Sequence, residues 1–384
     1  MVGTCQFRGG TPRNLPTQPA RSAYSSSLTS ISSMSRSRIA VVGGTAAGPA
    51  AAAQAARTDP DADVLLIESS AHVSIGSCSI PAYLRGQIDH ASDLVTLTPQ
   101  ELGRTRRIDV RVCTQATRFD AARRHLHLRD VTTGRTYHER VDKLILATGA
   151  HAVVPDFVPP AATNVTPMRT LVDAARLRRW VDSGVLGHVV ILGGGYVGAD
   201  VADALAARGV RVTVLEPKGV FVRDIVGGDL SQVLTDAALE CRVSLRAERA
   251  TGVRMQGDRV QAVVTQTGEW VGCDAVVLAV GVQVRTELAR SAGVKILDDG
   301  TLHVDKGGRT NVPGVWACGD AVAVPSAVTG NPMHRPLAWD AFRTARVVGT
   351  NAARRGSARS VRTVDRGVGS RTVWHRGCGN RVAS

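Results

Sequence analysis

One pattern occurs twice in this chain and decides most of what it can fold into. Ile39–Val42 is an apolar β run that ends in Gly43-Gly44-Thr45-Ala46-Ala47-Gly48 and opens an alanine-rich helix to about Arg57. Val64–Ile67 then reads as a second strand, closed by Glu68. In the same way Val189–Leu192 leads into Gly193-Gly194-Gly195-Tyr196-Val197-Gly198, a helix to about Arg208, a strand Arg211–Leu215 and Glu216. A strand, a glycine loop, a helix and a strand ending in an acid form the β-α-β signature for binding a dinucleotide. The glycines allow a tight turn and close helix–strand contact, the helix N-terminus faces a pyrophosphate, and the acid holds an adenosine ribose. Thr45 stands where the first loop would carry its middle glycine, whereas the second loop has all three. Two units in one chain are far more specific than one. The pattern predicts an α/β protein with two Rossmann-like dinucleotide-binding domains.

Three further segments give the first unit a flavin. Leu144-Ile145-Leu146-Ala147-Thr148-Gly149-Ala150 is an apolar strand with a tight glycine turn, suited to a crossing between domains, and Ala275–Val280 with Gly281 repeats it on the far side. Thr310–Asp320, ending Trp316-Ala317-Cys318-Gly319-Asp320, reads as a strand delivering Asp320 to a helix N-terminus, where its carboxylate can accept from the ribityl chain of FAD. A plain helix N-cap would look the same in isolation. With both glycine loops present the flavin reading is preferred. The FAD set is then Gly43, Gly48, Glu68, Thr148, Gly149 and Asp320; the NAD set is Gly193, Gly195, Tyr196, Gly198, Glu216 and Gly281.

The run Ser74-Ile75-Gly76-Ser77-Cys78-Ser79-Ile80-Pro81-Ala82-Tyr83 follows the first unit, so Cys78 would lie beside a flavin ring. Most free cysteines are small buried hydrophobes, and Cys113, Cys241, Cys273 and Cys318 read that way. The seven cysteines make no Cys-x-x-Cys pair and no zinc-type grouping. They suggest reduced thiols in a cytoplasmic setting, with no metal site.

At these residues the chain resembles the FAD-dependent pyridine nucleotide-disulfide oxidoreductases. Within them it is similar to the coenzyme A disulfide reductase and NADH-dependent persulfide reductase group, in order over about residues 36–352. The group carries one active cysteine in a Ser-x-x-x-Cys-x-x-Pro-x-Tyr run, matched by Ser74, Cys78, Pro81 and Tyr83, and a Pro-Leu-Ala-Trp segment, matched by Pro336–Trp339, whose helix points Ala338 at the flavin. The resemblance implies coenzyme A contacts at Gln54, Arg57, Ser74, Arg106 and Arg343. Gln54 and Arg57 share a helix face, and guanidinium forks suit phosphates. It implies electron flow from NADH through FAD to Cys78 and on to coenzyme A disulfide or a persulfide. Glu216 would repel a 2′-phosphate, making NADPH the poorer donor. Tyr196 would cover the nicotinamide side of the flavin, and Asp200 stands where the group has Glu. Peroxidases of the superfamily carry a His at the position of Ala46, which disfavours an NADH oxidase or peroxidase working through a cysteine sulfenic acid, the first rival. The second rival is a truncated, catalytically impaired flavoprotein.

The expected order is an irregular extension 1–35, a first FAD part 36–150, an NAD part 151–281, a second FAD part 282–353 and a basic tail 354–384. Residues 1–35 are rich in Ser, Thr, Pro and Arg and read as disordered. They resemble a transit peptide, but Met34 also suits a true start, which is the reading adopted. The group continues past this point as an interface domain that forms its homodimer, so a weakened dimer is expected. Five arginines and no acid up to residue 38, with eight arginines against Asp365 from Arg354 on, supply +12 of the formal +14. The body is therefore near neutral, which argues against a nucleic-acid partner. No run is long and apolar enough for a membrane span.

Overall fold

The computed structural model describes residues 36–326 and 330–354. The expected extension 1–35 and the tail beyond Arg354 lie outside the described residues.

The two glycine-loop units build two parallel sheets with the same plan. In the first, Arg38–Val42 lies between Asp63–Ile67 and Lys143–Leu146, with Ile108–Arg111 and Val315–Ala317 at the edges. In the second, His188–Leu192 lies between Arg211–Leu215 and Ala275–Leu278, with Val243–Arg246 and Val165–Pro167 at the edges. The central strands are continuous apolar runs because both faces are covered. Ile39, Ala40 and Val41 have no exposed surface, nor do Val189, Val190 and Ile191. One face of each sheet is covered by helices. The other is covered by a three-stranded antiparallel meander, Thr114–Asp120, His125–Asp130 and Thr136–Arg140 in the first unit. Ala250–Gln256, Arg259–Thr265 and Trp270–Gly272 do the same in the second.

The first nucleotide helix, Ala47–Thr58, is rich in the best helix-forming residue. It buries Ala51, Ala52 and Ala55 and packs against the closing helix Ala338–Ala353. These helices come unusually close. A Cβ on Gly349 would stand 2.4 Å from the Ala51 carbonyl oxygen. Val348, beside it, is fully buried, which contributes about 1.5–3 kcal/mol.

Ala150–Ala152 runs antiparallel to Val282–Val284, so the chain leaves the first unit and returns to it along neighbouring strands. The second sheet is inserted between them, and Val315–Ala317 then completes the first sheet.

One local expectation fails. Asp320 does not start a long helix: Gly319–Ala321 is a single 3-10 turn, and the next helix begins at Ala338. Pro325, Pro332 and Pro336 break up the intervening segment, since proline lacks the amide a helix needs and disfavours helical backbone just before it. Part of it forms the short antiparallel pair Val324–Pro325 with Pro332–Met333.

Candidate functional site

The glycine loops are near copies in structure as well as sequence. Gly43 and Gly193 turn the chain with φ of +110° and +98°. A Cβ on Gly48 would stand 1.6 Å from the Gly43 oxygen, and one on Gly198 2.0 Å from the Gly193 oxygen. Only glycine lets helix and strand meet there. The helices that follow, Ala47–Thr58 and Tyr196–Ala207, start without a side-chain cap and present the positive ends of their dipoles to each loop. That is the arrangement that holds a pyrophosphate. The Gly44 amide donates to Glu68 Oε2 at 2.6 Å, and the Gly194 amide to Glu216 Oε2 at 2.8 Å. Each carboxylate retains acceptor capacity for a ribose hydroxyl.

Thr45 is exposed, so a side chain is accommodated where the middle glycine was expected, and Gly195 is extended at φ −67°. Thr45 has a second role. Its carbonyl accepts from the Ile75 amide at 3.2 Å, and the Gly44 carbonyl accepts from the Ser74 amide at 2.8 Å. These bonds lay the cysteine segment directly on the first glycine loop. On its other side Ile75 bridges Val95, and the Gly76 amide donates to the Leu94 carbonyl at 2.7 Å. Ser74 is held in left-handed backbone at φ +57°, with its hydroxyl 2.8 Å from that of Thr96. Strain of this kind at a non-glycine residue persists only where the surroundings enforce it. Cys78 lies four residues on, an exposed residue in the 3-10 turn Ser77–Ser79.

The other thiols differ. Cys273 and Cys318 are buried, and burial pushes both up to about 12. Cys113 and Cys241 are half-buried, so the expectation of burial holds fully only for Cys273 and Cys318.

Between the units, Thr148 Oγ1 donates to the Arg285 carbonyl at 3.2 Å, and the Arg285 amide to the Gly149 carbonyl at 3.1 Å. The Gly281 carbonyl accepts from Val153 at 3.0 Å. Asp320, mostly buried, forms an ion pair with Arg169 at 2.5 Å, and its backbone carbonyl lies 2.9 Å from His334 Nε2. Ala338 opens the closing helix, whose N-cap Leu337 gives no side-chain cap. Tyr196 carries a buried hydroxyl with no hydrogen-bond partner among the described residues. Burial raises its pKa, opposed by the charge of Arg335. A buried orphan hydroxyl at a glycine-loop helix fits a side chain that moves when a cofactor arrives.

The expected coenzyme A residues are only partly gathered. Arg57 donates to Gln54 Oε1 at 2.8 Å, and Gln54 Nε2 reaches Thr350 of the closing helix at 3.1 Å. Arg343 lies on that same helix, 3.5 Å from Asp340, which also pairs with Arg335 at 3.2 Å. Ser74 pairs instead with Thr96, and Arg106 ends the helix Pro99–Arg106 on the exposed surface. Arg169 and Arg335 were missed. Each reads as an ordinary surface arginine until the fold brings it to Asp320 or Tyr196. A cavity of about 810 Å³ opens where the strands His188–Leu192 and Arg211–Leu215 begin and runs along the edge strand to Arg246; the second glycine loop follows the other end of His188–Leu192, and no glycine-loop residue lines the cavity.

Two parallel sheets, each with a glycine loop, a facing helix and an acid on that loop, define a double dinucleotide-binding fold. The chain belongs to the pyridine nucleotide-disulphide oxidoreductase family, which matches it over residues 37–341. It is 30% identical over 316 residues to the NAD(P)H sulfur oxidoreductase (CoA-dependent) of Pyrococcus abyssi, covering 82% of this chain and 69% of that protein. Among solved structures it resembles the NAD-dependent persulfide reductase of A. fulgidus, with a TM-score of 0.80 and 28% identity over 86% of this chain. It also resembles reduced CoADR-RHD of Bacillus anthracis, with a TM-score of 0.79 and 27% identity over 85% of this chain. The chain spans 61% and 58% of those two structures. Among the described residues no helix is long and apolar enough to cross a membrane.

Proposed function

We propose that this chain binds FAD in its first unit and NADH in its second, and reduces a small disulfide or persulfide through Cys78. The observation that carries the reading is the backbone pairing of Ser74 and Ile75 with Gly44 and Thr45, which lays the segment of an exposed thiol on the first glycine loop. The names of the relatives from Pyrococcus abyssi and A. fulgidus, a CoA-dependent sulfur oxidoreductase and a persulfide reductase, support the same chemistry.

When bound, the flavin supplies the means of taking a hydride from reduced nicotinamide and passing two electrons to sulfur. The rest falls to side chains of this chain. Glu68 and Glu216 hold their loops and accept from adenosine ribose hydroxyls. Tyr196 covers the nicotinamide position and moves aside. Asp320 accepts from the flavin's polyol, with Arg169 sharing its charge. The Cys78 thiolate attacks one sulfur of the substrate disulfide; that S–S bond breaks, the other half leaves as a thiolate that takes up a proton, and the mixed disulfide left on Cys78 is cleaved by the two electrons passed to sulfur, returning the Cys78 thiolate and, with a second proton, the second thiol. Gln54, Arg57 and Arg343, on two packed helices, offer donors to coenzyme A phosphates; Ser74 and Arg106 are candidates for further contacts on other elements. One disulfide, one NADH and one proton yield two thiols and NAD+.

Anaerobic titration with NADH followed by coenzyme A disulfide tests the proposal. The flavin absorbance should bleach and then return as free coenzyme A thiol appears. Bleaching that is reversed only by oxygen, with water or peroxide as product, would favour an oxidase. Absence of bleaching would refute electron entry from NADH.

A further inference from the structure

We propose that the buried ion pair between Arg85 and Asp203 ties the cysteine segment to the helix of the second glycine loop, making both of them positioning residues for the reaction of Cys78. The inference rests on the reading of Cys78 as the reacting thiol.

The turn that holds Cys78 runs straight into the helix Ile80–Arg85, and the chain is stopped there by Gly86 in left-handed backbone at φ +85°. This short helix follows the first unit in sequence, but it is packed against the second. Ile80, Tyr83 and Leu84 are buried in one cluster with Leu171, Ala174 and Leu177 of the helix Leu171–Asp182 and Ala199 and Ala202 of the helix Tyr196–Ala207. The polar contacts run the same way. Arg85 pairs with Asp203, the two side chains only 13% and 11% exposed. Arg178 donates to the Tyr83 carbonyl and, at 3.1 Å, to that of Ile88, while Arg208 reaches the Leu84 carbonyl at 3.3 Å. Asp182 holds both of these arginines, at 2.7 Å and 2.8 Å. At the end of the cysteine helix the Leu84 carbonyl takes its partner from the other unit, and the Tyr83 carbonyl, which already accepts from the Gly86 amide at 3.1 Å, takes a second one there.

Cys78 is therefore bracketed. Its leading side rests on the first glycine loop through Ser74 and Ile75. Its trailing side is held by Asp203, two turns along the helix whose first residue, Tyr196, opens from the second glycine loop. The segment thus joins the first glycine loop to the helix that follows the second.

Apolar contact alone would keep the helix in place, and a buried ion pair is a poor way to add stability, because both charges must be desolvated. What the pair adds is direction. The guanidinium and carboxylate meet in a narrow range of angles, whereas leucine on leucine slides. A shift of about 1 Å in a reacting atom is enough to slow a reaction severely.

The test uses the FAD-loaded protein with the pair replaced by apolar residues, Arg85→Met together with Asp203→Leu. Such replacements tend to preserve stability, so melting temperature and bound flavin should match the parent. Asp203→Asn alone serves as a second variant that leaves Arg85 in place. Both should keep the KM for NADH and the rate of flavin reduction within about twofold, while kcat for coenzyme A disulfide and the rate of Cys78 alkylation, read at its own peptide, change by roughly tenfold or more. Parent-like kcat and alkylation in a stable apolar-pair variant would overturn the inference and leave the pair as packing. Cys78→Ser, run alongside, separates the two levels: if it still reduces the disulfide, the underlying reading of Cys78 fails and the inference falls with it.

Discussion

The Glu68 carboxylate lies 2.6 Å from the Gly44 amide nitrogen, accepting a hydrogen bond from the loop whose ligand it is placed to meet. Glu216 and Gly194 repeat the relationship in the second unit. The acid therefore does two things at once. It braces the glycine loop, and under the proposed function it would meet an adenosine 2′-substituent.

Under the proposed function, Glu216 sets cofactor preference. Stopped-flow flavin reduction should be at least roughly tenfold faster with NADH than with NADPH at equal concentration. Glu216→Arg should narrow or reverse that ratio and weaken NADH binding, because the Gly194 amide loses its acceptor. Equal rates with both donors in the parent protein would remove Glu216 from the specificity argument.

The two glycine loops should fail separately. Gly48→Ala forces a methyl into the Gly43 carbonyl, so the purified protein should be colourless and stay unfilled in excess FAD. Gly198→Ala meets the Gly193 carbonyl and should keep the flavin while its reduction by NADH drops by roughly two orders of magnitude, as expected for a displaced ligand. Absorbance spectra and an NADH titration distinguish these outcomes. Loss of flavin from Gly198→Ala would mean that the units do not act independently.

Cys78→Ser should leave the first half of the reaction untouched and abolish the second. Flavin reduction by NADH stays at the parent rate, since the thiol is needed only after it, and coenzyme A disulfide no longer reoxidises the flavin. The measurement is anaerobic, with disulfide added to the prereduced variant.

Alkaline pH should expose the buried thiols. Cys273 and Cys318 titrate near about 12 in the fold against an ordinary value of 9.0. Their contribution to stability is complete below pH 9.0, where both states keep the proton. It is lost as pH climbs towards 12, because the unfolded chain ionises first. Denaturation midpoints at about pH 8 and pH 10 should differ accordingly, and Cys318→Ala should reduce the difference. At about pH 8, iodoacetamide should label Cys78 and spare Cys273 and Cys318 until the chain is unfolded.

How far the sequence reaches depends on how local the determinant is. The glycine loops, their strands and Glu68 and Glu216 were readable because each is fixed by a few consecutive residues whose backbone geometry only glycine or a continuous apolar run satisfies. Asp320 is legible as a strand-end acid, but not the turn it occupies, because that turn is set by Pro325, Pro332 and Pro336, which lie outside the local strand-and-acid pattern. Arg169, Arg178 and Arg208 were invisible for a different reason. Each sits at or near a helix end and looks solvated in sequence; Tyr83 and Leu84 reach Arg178 and Arg208 by the docking of the second unit on the cysteine helix, and Asp320, just past the edge strand Val315–Ala317 of the first sheet, reaches Arg169 across 151 residues of sequence.

The insertion of one unit into the other also sets a schedule for synthesis. Lys143–Leu146 can pair with Arg38–Val42 as soon as both have left the ribosome, but its other edge is covered by Val315–Ala317, which is made only after the whole inserted unit. Throughout that interval the growing chain carries an apolar strand with a row of unsatisfied amides and carbonyls. The same holds for the first nucleotide helix, whose alanine face waits for a closing helix that is translated later still. A nascent chain of this design exposes its stickiest surfaces for longest while the second unit is already able to fold, so holding chaperones should matter most in that window.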